Sequence, residues 1–406
     1  MSLTPSSTAE NPRKRVLVLI GTRPEAIKMA PVIKALHRQG ETEVVVCATG
    51  QHTDMVFPLL DWFGISRDFT LDVMSHQQPL SHLAGRLLSG LHDVIEEVNP
   101  DVVMAQGDTT SAFIGCLAAY YSYDHFWKNQ LRSTPIEIAH VEAGLRTGNN
   151  YSPYPEEINR RLMGHMAHWN FAPTLESAAA LHREGIKTNV FVTGNTVIDA
   201  LFETRDLVAK SGIDPVPFIP QGEKIILVTS HRRENYGEGL REICAAIKAL
   251  ALRYADQNYH FVYPVHLNQH VQKPVHELLG GLSNVHLIAP QGYPEFVALM
   301  ARSHLILTDS GGVQEEGPSL AKPVLVMRDN TERPEAITAG TARLVGPRTN
   351  SIIAETCALL DNPLLYNRMA HTANPYGDGK ASTRIVNLLR GGKADDNTFI
   401  YNPDPS

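Results

Sequence analysis

Short runs of Val, Ile and Leu alternate with helical patterns along most of the 406-residue chain, and most of these runs are apolar from end to end. They fall at 16–20, 44–48, 101–105, 136–140, 189–193, 225–229, 260–265, 285–289, 304–308, 323–327 and 342–346. A strand with one wet face alternates apolar and polar residues, whereas a parallel strand covered by helices on both faces is apolar throughout. The pattern predicts an α/β chain with right-handed crossovers. Eleven strands are too many for one six-stranded sheet, and a Pro- and Gly-rich seam lies at 208–223. Two Rossmann-like doubly wound domains follow, with the ligand expected in the cleft between them at the carboxyl ends of the strands. An eight-stranded α/β barrel fits neither the strand count nor the seam.

Charge narrows the partners. With 36 Lys and Arg against 43 Asp and Glu the formal charge is −7, which favours neither nucleic acid nor a membrane surface. An anionic ligand would have to be held by local arginines and helix ends. The four cysteines, Cys47, Cys116, Cys244 and Cys357, are scattered and read as buried free thiols of a reducing compartment. Arg13-Lys14-Arg15 is followed by only five strongly apolar residues before Gly21, too few for a signal peptide, and no run is long enough to span a bilayer. The expectation is a soluble, cytoplasmic protein with a polar start at 1–10 and a loose polar tail at 392–406.

The unusual residues cluster just after the apolar runs. After 304–308 comes Asp309-Ser310-Gly311-Gly312, then a helix with Glu315 and Glu316. Two glycines permit close approach to the backbone, and a helix start offers unpaired N–H groups to a phosphate or diphosphate. Glu315 or Glu316 could then accept from a ribose diol. After 16–20, Arg23 and Lys28 flank a helix start that lacks the G-x-G-x-x-G fingerprint. Asp108 follows 101–105 and also suits an N-cap, and Glu142 follows 136–140 among apolar neighbours. Glu156 opens a helix, where an acid also complements the dipole. Carboxylates at three separate strand ends are what proton transfer to two faces of a substrate requires. His231 beside Arg232 and Arg233, His266, and Arg333 end the later runs and suit acid, base or phosphate roles. Zinc and P-loop spacings are absent, and His165 and His168 read as packing or capping residues on a helix.

The collinear set GTRPEAIK, TGQH, QGDTTS, HVEAGLRT, YSPYPEEINRR, GNTVIDAL, SHRREN, TDSGGVQEEGPSLAKPVLVMRDNTERPEA and HTANPYGDGKAS, spread over about 16–389, resembles the UDP-N-acetylglucosamine 2-epimerases, closest to the non-hydrolysing bacterial type. The resemblance implies two Rossmann-like domains of the GT-B kind: 1–207, completed by a C-terminal helix around 380–391, and 208–379 as the UDP-binding domain. It implies reversible conversion of UDP-GlcNAc to UDP-ManNAc with no cofactor and no metal, by anti elimination of UDP and syn re-addition. Asp108, Glu142, Glu156 and His231 match the family's catalytic positions. Arg23 and Lys28 match residues near the diphosphate. Ser310, Gly311 and Gly312 match its phosphate turn, Glu316 the ribose contact, Arg333 a second arginine and Phe296 the base-side aromatic. Gln51, Arg232 and His266 match a second, activating UDP-GlcNAc site. A homodimer serving cell-surface polysaccharide synthesis is the family expectation. The segment 120–135 departs from the family as a longer, aromatic connection with its tip at 124–128. The alternatives carried are the hydrolysing relative, which releases ManNAc and UDP, a GT-B glycosyltransferase, and a UDP-sugar sensor without turnover.

Overall fold

The computed structural model describes residues 13–51, 53–75, 78–129, 132, 134–392 and 399–400, so the polar start at 1–10 lies outside the described residues. The chain divides into two compact units, Met1–Thr196 with Ser382–Ser406, and Val197–Ala381. In the first, β1 (Lys14–Ile20), β2 (Thr42–Ala48), β3 (Phe69–Thr70), β4 (Val102–Gln106), β5 (Glu137–Val141), β6 (Trp169–Ala172) and β7 (Val190–Val192) form a parallel sheet in the order β3-β2-β1-β4-β5-β6-β7. In the second, β8 (Lys224–Thr229), β9 (Tyr259–Pro264), β10 (Val285–Ile288), β11 (Ser303–Thr308), β12 (Val324–Val326) and β13 (Ala342–Leu344) are parallel in the order β10-β9-β8-β11-β12-β13. Each sheet reverses direction of winding once, between β1 and β4 and between β8 and β11. The connections leaving those strands pass to opposite faces, which opens a crevice at the carboxyl ends.

The apolar runs are strands because both faces are covered. Leu17, Val18, Ile20, Val102 and Val103 are fully buried or nearly so, as are Ile225, Leu227, Leu305 and Leu307. Helices supply the cover. The helix Leu80–Val98 turns Leu83, Leu87, Leu91, Val94, Ile95 and Val98 inward at helical spacing, then stops at Asn99 in the left-handed region. The helix Arg23–Gln39 begins inside the first turn with Pro24 and ends at Gly40, φ 69°. Arg23 is therefore the first residue of that helix rather than the residue before it.

Three strands escape the apolar-run reading. β3 is two residues long, and β6 carries a fully buried Asn170 at its centre, which interrupts the run. The third, β14 (Phe399–Ile400), pairs antiparallel with β7, so the expected loose tail holds a short strand there; 393–398 and 401–406 lie outside the described residues. The division between units falls at Thr196, ahead of the expected 207. The helix Thr196–Ser211 goes with the second unit, where Asp199 accepts the Ala381 N–H at 3.1 Å and Phe202 packs on Gly379. The helix Ala381–Leu389 lies on the first unit through Arg384, which donates to the Thr193 carbonyl at 3.0 Å. At 120–135 the chain is helical as far as Lys128, in the helix Thr110–Lys128, so the tip is a helix end. His168 follows a helix instead of riding on it, and its Nδ1 accepts the Ile138 N–H at 3.1 Å. Cys47, Cys116 and Cys244 are buried thiols and Cys357 is half-buried. No helix among the described residues is long and apolar enough to cross a membrane.

Gly144 decides the path after β5. Its φ is +94°, and a Cβ there would stand 2.1 Å from the Ser177 carbonyl oxygen. Neither backbone can yield cheaply, so Gly144→Ala is expected to lower stability by about 2 kcal/mol or more, read as a lower urea midpoint at unchanged m.

Candidate active site

At the carboxyl ends of β4 and β5 the first unit gathers charge. Glu142 sits just past β5 with φ 67°, a strained conformation for a side chain of its size, and is 7% exposed. Its Oε1 accepts from Lys28 Nζ at 2.5 Å and from Asn195 Nδ2 at 3.0 Å, and its Oε2 accepts from Gln106 Nε2. Asp108, just past β4, pairs with Arg160 at 2.6 Å. Burial raises the Asp108 carboxyl above its ordinary range; Arg160 and Lys28 oppose this, while the Glu142 and Glu156 carboxylates add to it. Glu156 opens the helix Glu156–Met166, and its buried Oε2 accepts no hydrogen bond among the described residues. The structure thus brings Lys28, Asp108, Glu142 and Glu156 into one electrostatic cluster. Gln51 stands beside it, accepting from Ser111 Oγ at 2.7 Å. Arg23 is half-buried, without an ion-pair partner among the described residues.

The loops carrying these groups are pinned from below. Glu25 is 2% exposed and accepts the N–H groups of Gly21 and Thr22, each at 2.6 Å, and the Thr109 hydroxyl at 2.5 Å. One carboxylate therefore ties the turn after β1 to the turn after β4. Burial pushes Glu25 up to about 7 against those hydrogen bonds. His140, wholly buried, is driven by burial down to about 4, so its ring is neutral and Nε2 donates to the Gly107 carbonyl at 2.7 Å. Asn159 Nδ2 donates to the Asp108 carbonyl at 2.9 Å.

The second unit builds a different set. Ser310 caps the helix Gly311–Ser319, whose first turn is unhindered by side chains at Gly311 and Gly312. Glu316 accepts from the Tyr293 hydroxyl at 3.0 Å, and Phe296 lies one turn along from Tyr293 on the helix Tyr293–Arg302. Glu315, 2% exposed, pairs with Arg333. His231 and His266 stack with ring centres 5.8 Å apart, and Arg232 reaches to within 3.5 Å of the Cβ position of Gly311. Burial lowers the His231 imidazole below its ordinary value, and Arg232 and His266 lower it further, while Asp309 opposes them. Ser310, Gly311, Arg232, His231 and His266 are thus neighbours on this unit, whereas Gln51, grouped with Arg232 and His266 by resemblance, belongs to the other. No group of three or more His, Cys, Asp or Glu among the described residues could hold a metal ion.

Sequence reasoning missed the partners. Arg160, Gln106, Asn195, Glu25, His140 and Asp309 each orient a candidate group, and all six stand inside the quoted motifs without a role assigned to any of them.

A family model described as UDP-N-acetylglucosamine 2-epimerase matches residues 34–390. The UDP-N-acetylglucosamine 2-epimerase of Salmonella typhimurium is 49% identical over 93% of this chain and 98% of its own. The crystal structure of UDP-GlcNAc 2-epimerase from Neisseria meningitidis bound to UDP-GlcNAc superposes with a TM-score of 0.82 at 47% identity, over 93% of this chain and all of that one. An S. aureus protein solved with UDP has a TM-score of 0.81 at 40% identity, over 93% and 96% of the two chains. These neighbours have the GT-B-like pairing of Rossmann-like domains that the sequence leads one to expect.

Glu25→Gln preserves shape and can keep all three contacts while removing the charge. Because the folded carboxyl lies near 7, above its ordinary 4.5, the parent loses stability as pH rises through that window. The variant is expected to match or trail the parent near pH 4 and to gain on it up to pH 7, by on the order of 3 kcal/mol, read by urea unfolding across pH.

Proposed function

The chain belongs to the UDP-N-acetylglucosamine 2-epimerase family, and from that premise we propose that it interconverts UDP-GlcNAc and UDP-ManNAc without hydrolysis. The C2 proton of the sugar is not beside a ring carbonyl, so its removal must accompany departure of UDP from C1. The C2–H electrons form the C1=C2 bond of 2-acetamidoglucal while the C1–O bond breaks. Re-addition of UDP then places a proton on the opposite face of C2. This sequence needs a proton acceptor, a proton donor and a counter-charge for the leaving diphosphate.

The carboxylate cluster of the first unit carries this reading. Glu142 has both oxygens engaged by Lys28, Asn195 and Gln106, whereas burial and two neighbouring acids raise the proton affinity of Asp108. Asp108 is therefore favoured over Glu142 as the base, with Glu156, whose Oε2 is unpartnered, as the second proton carrier. His231 stabilises the departing UDP. Arg23, Lys28 and Arg333, together with Ser310, Gly311 and Gly312 at a helix start, meet the diphosphate. Glu316 holds the ribose and Phe296 lies on the base side. Arg232 and His266 flank His231 directly, so a second UDP-GlcNAc held by them and by Gln51 would act on the leaving-group residue itself. No cofactor is assigned. The setting is cytoplasmic, as a homodimer supplying cell-surface polysaccharide synthesis.

Proton NMR of the full chain with UDP-GlcNAc in D2O tests the reading. UDP-ManNAc with deuterium at C2 is expected; free ManNAc with stoichiometric UDP would make the protein hydrolysing instead, and an unchanged sugar would sink the assignment. Asp108→Asn should lower kcat by about 10²–10⁴-fold with little change in KM.

A further inference from the structure

Asp309, at the carboxyl end of β11, is completely buried, and its donors come from one loop. Its carboxylate accepts the Ser230 hydroxyl at 3.0 Å, the His231 N–H at 2.9 Å, the Arg232 N–H at 2.9 Å and the Asn235 side-chain amide at 3.1 Å. All four donors are neutral, and closing such a loop asks only for a neutral acceptor. A full negative charge withdrawn from water is costly and calls for a cation or a proton to serve. One lies beside it: His231 Nδ1 is 3.5 Å from Asp309 Oδ1. That distance is long for a hydrogen bond, as such contacts are before a substrate tightens them. The ring is stacked on His266, and its side chain remains 43% exposed.

We propose that Asp309 is a positioning residue for this reaction, holding His231 as the Nδ1–H tautomer and favouring its protonation so that Nε2 faces the departing diphosphate. The proposal rests on the epimerase reading for its chemistry but on the loop alone for its geometry. The charges around the ring support it. Burial, Arg232 and His266 make protonation of His231 harder, and Asp309 counters all three. Glu234, on the same turn, is drawn away to Arg328. Tyr263 closes the loop from β9 with its uncharged hydroxyl on the Ser230 carbonyl at 2.8 Å. The two carboxylate oxygens divide the work. Oδ2 takes the four loop donors, while Oδ1 shares the His231 N–H at 3.2 Å and is the oxygen nearest the imidazole.

Nitrogen-15 NMR of the histidine-labelled full chain, with His231 assigned through His231→Gln, tests the geometry without altering Asp309. Neutral His231 is expected to carry its proton on Nδ1; a proton on Nε2 overturns the proposal. In Asp309→Asn, kcat should fall about 100-fold or more while KM stays within a few-fold, and the alkaline limb of kcat should move down by about one pH unit. In a His231→Gln background the same change should cost less than about threefold. An unmoved alkaline limb, or losses that multiply in the double variant, would overturn it. Should Asp309→Asn fail to fold, the tautomer of the parent decides. Should the parent not epimerise UDP-GlcNAc, the functional reading fails while the tautomer still decides the role of Asp309.

Discussion

Buried carboxylates at the ends of apolar strands set the terms for everything built around them. Glu25, Glu142, Glu157, Asp309, Glu315 and Glu316 are each at most 7% exposed. An anion withdrawn from water costs several kcal/mol unless charges or hydrogen bonds meet it. The fold meets this demand by bringing neighbouring strand ends together. Glu25 draws on the turns after β1 and β4, Glu142 on three elements far apart in sequence, and Asp309 on the loop after β8. The pairing of β1 with β4 and of β8 with β11 makes these contacts possible, so the winding order of each sheet and the wiring of its carboxylates depend on each other.

The strands were legible because covering a parallel strand on both faces forces an uninterrupted apolar run. Where that physics relaxes, the reading fails. β6 carries a buried Asn170, whose side-chain amide donates to the Gly164 carbonyl at 3.3 Å, so the strand does not look like one in sequence. The seam at 208–223 is visible as composition, yet the units part earlier, at a helix whose allegiance is settled by contacts of Asp199 and Phe202 with residues near 380. The candidate site divides the same way. Which residues stand after strands follows from local pattern. Which of them pair does not: Lys28 with Glu142 and Asn195 with Glu142 join positions separated by 114 and 53 residues.

Pairing also changes what each candidate has to offer. Arg333 reads in sequence as an open phosphate ligand, but Glu315 already holds its guanidinium, so an incoming diphosphate would share it. Lys28 is likewise engaged by Glu142. In the proposed site such shared cations would be poised instead of spare: the carboxylate fixes the cation's position before any ligand arrives, and that prior ordering would lower the entropy lost on binding. A net charge of −7 makes this local arrangement necessary, since the overall field does not attract an anion.

The proposed reversible epimerisation would make one further demand. The group that accepts a proton in one direction must give it back in the other, so neither protonation state can be strongly preferred at the working pH. An ordinary Asp would hold a proton too weakly for that. Burial and the Glu142 and Glu156 carboxylates lift Asp108, while Arg160 and Lys28 keep the shift from running to completion, since a permanently protonated Asp108 could serve only one direction. On the other unit His231 is set by the same kind of opposition: burial, Arg232 and His266 lower it, and Asp309 beside it holds that shift back.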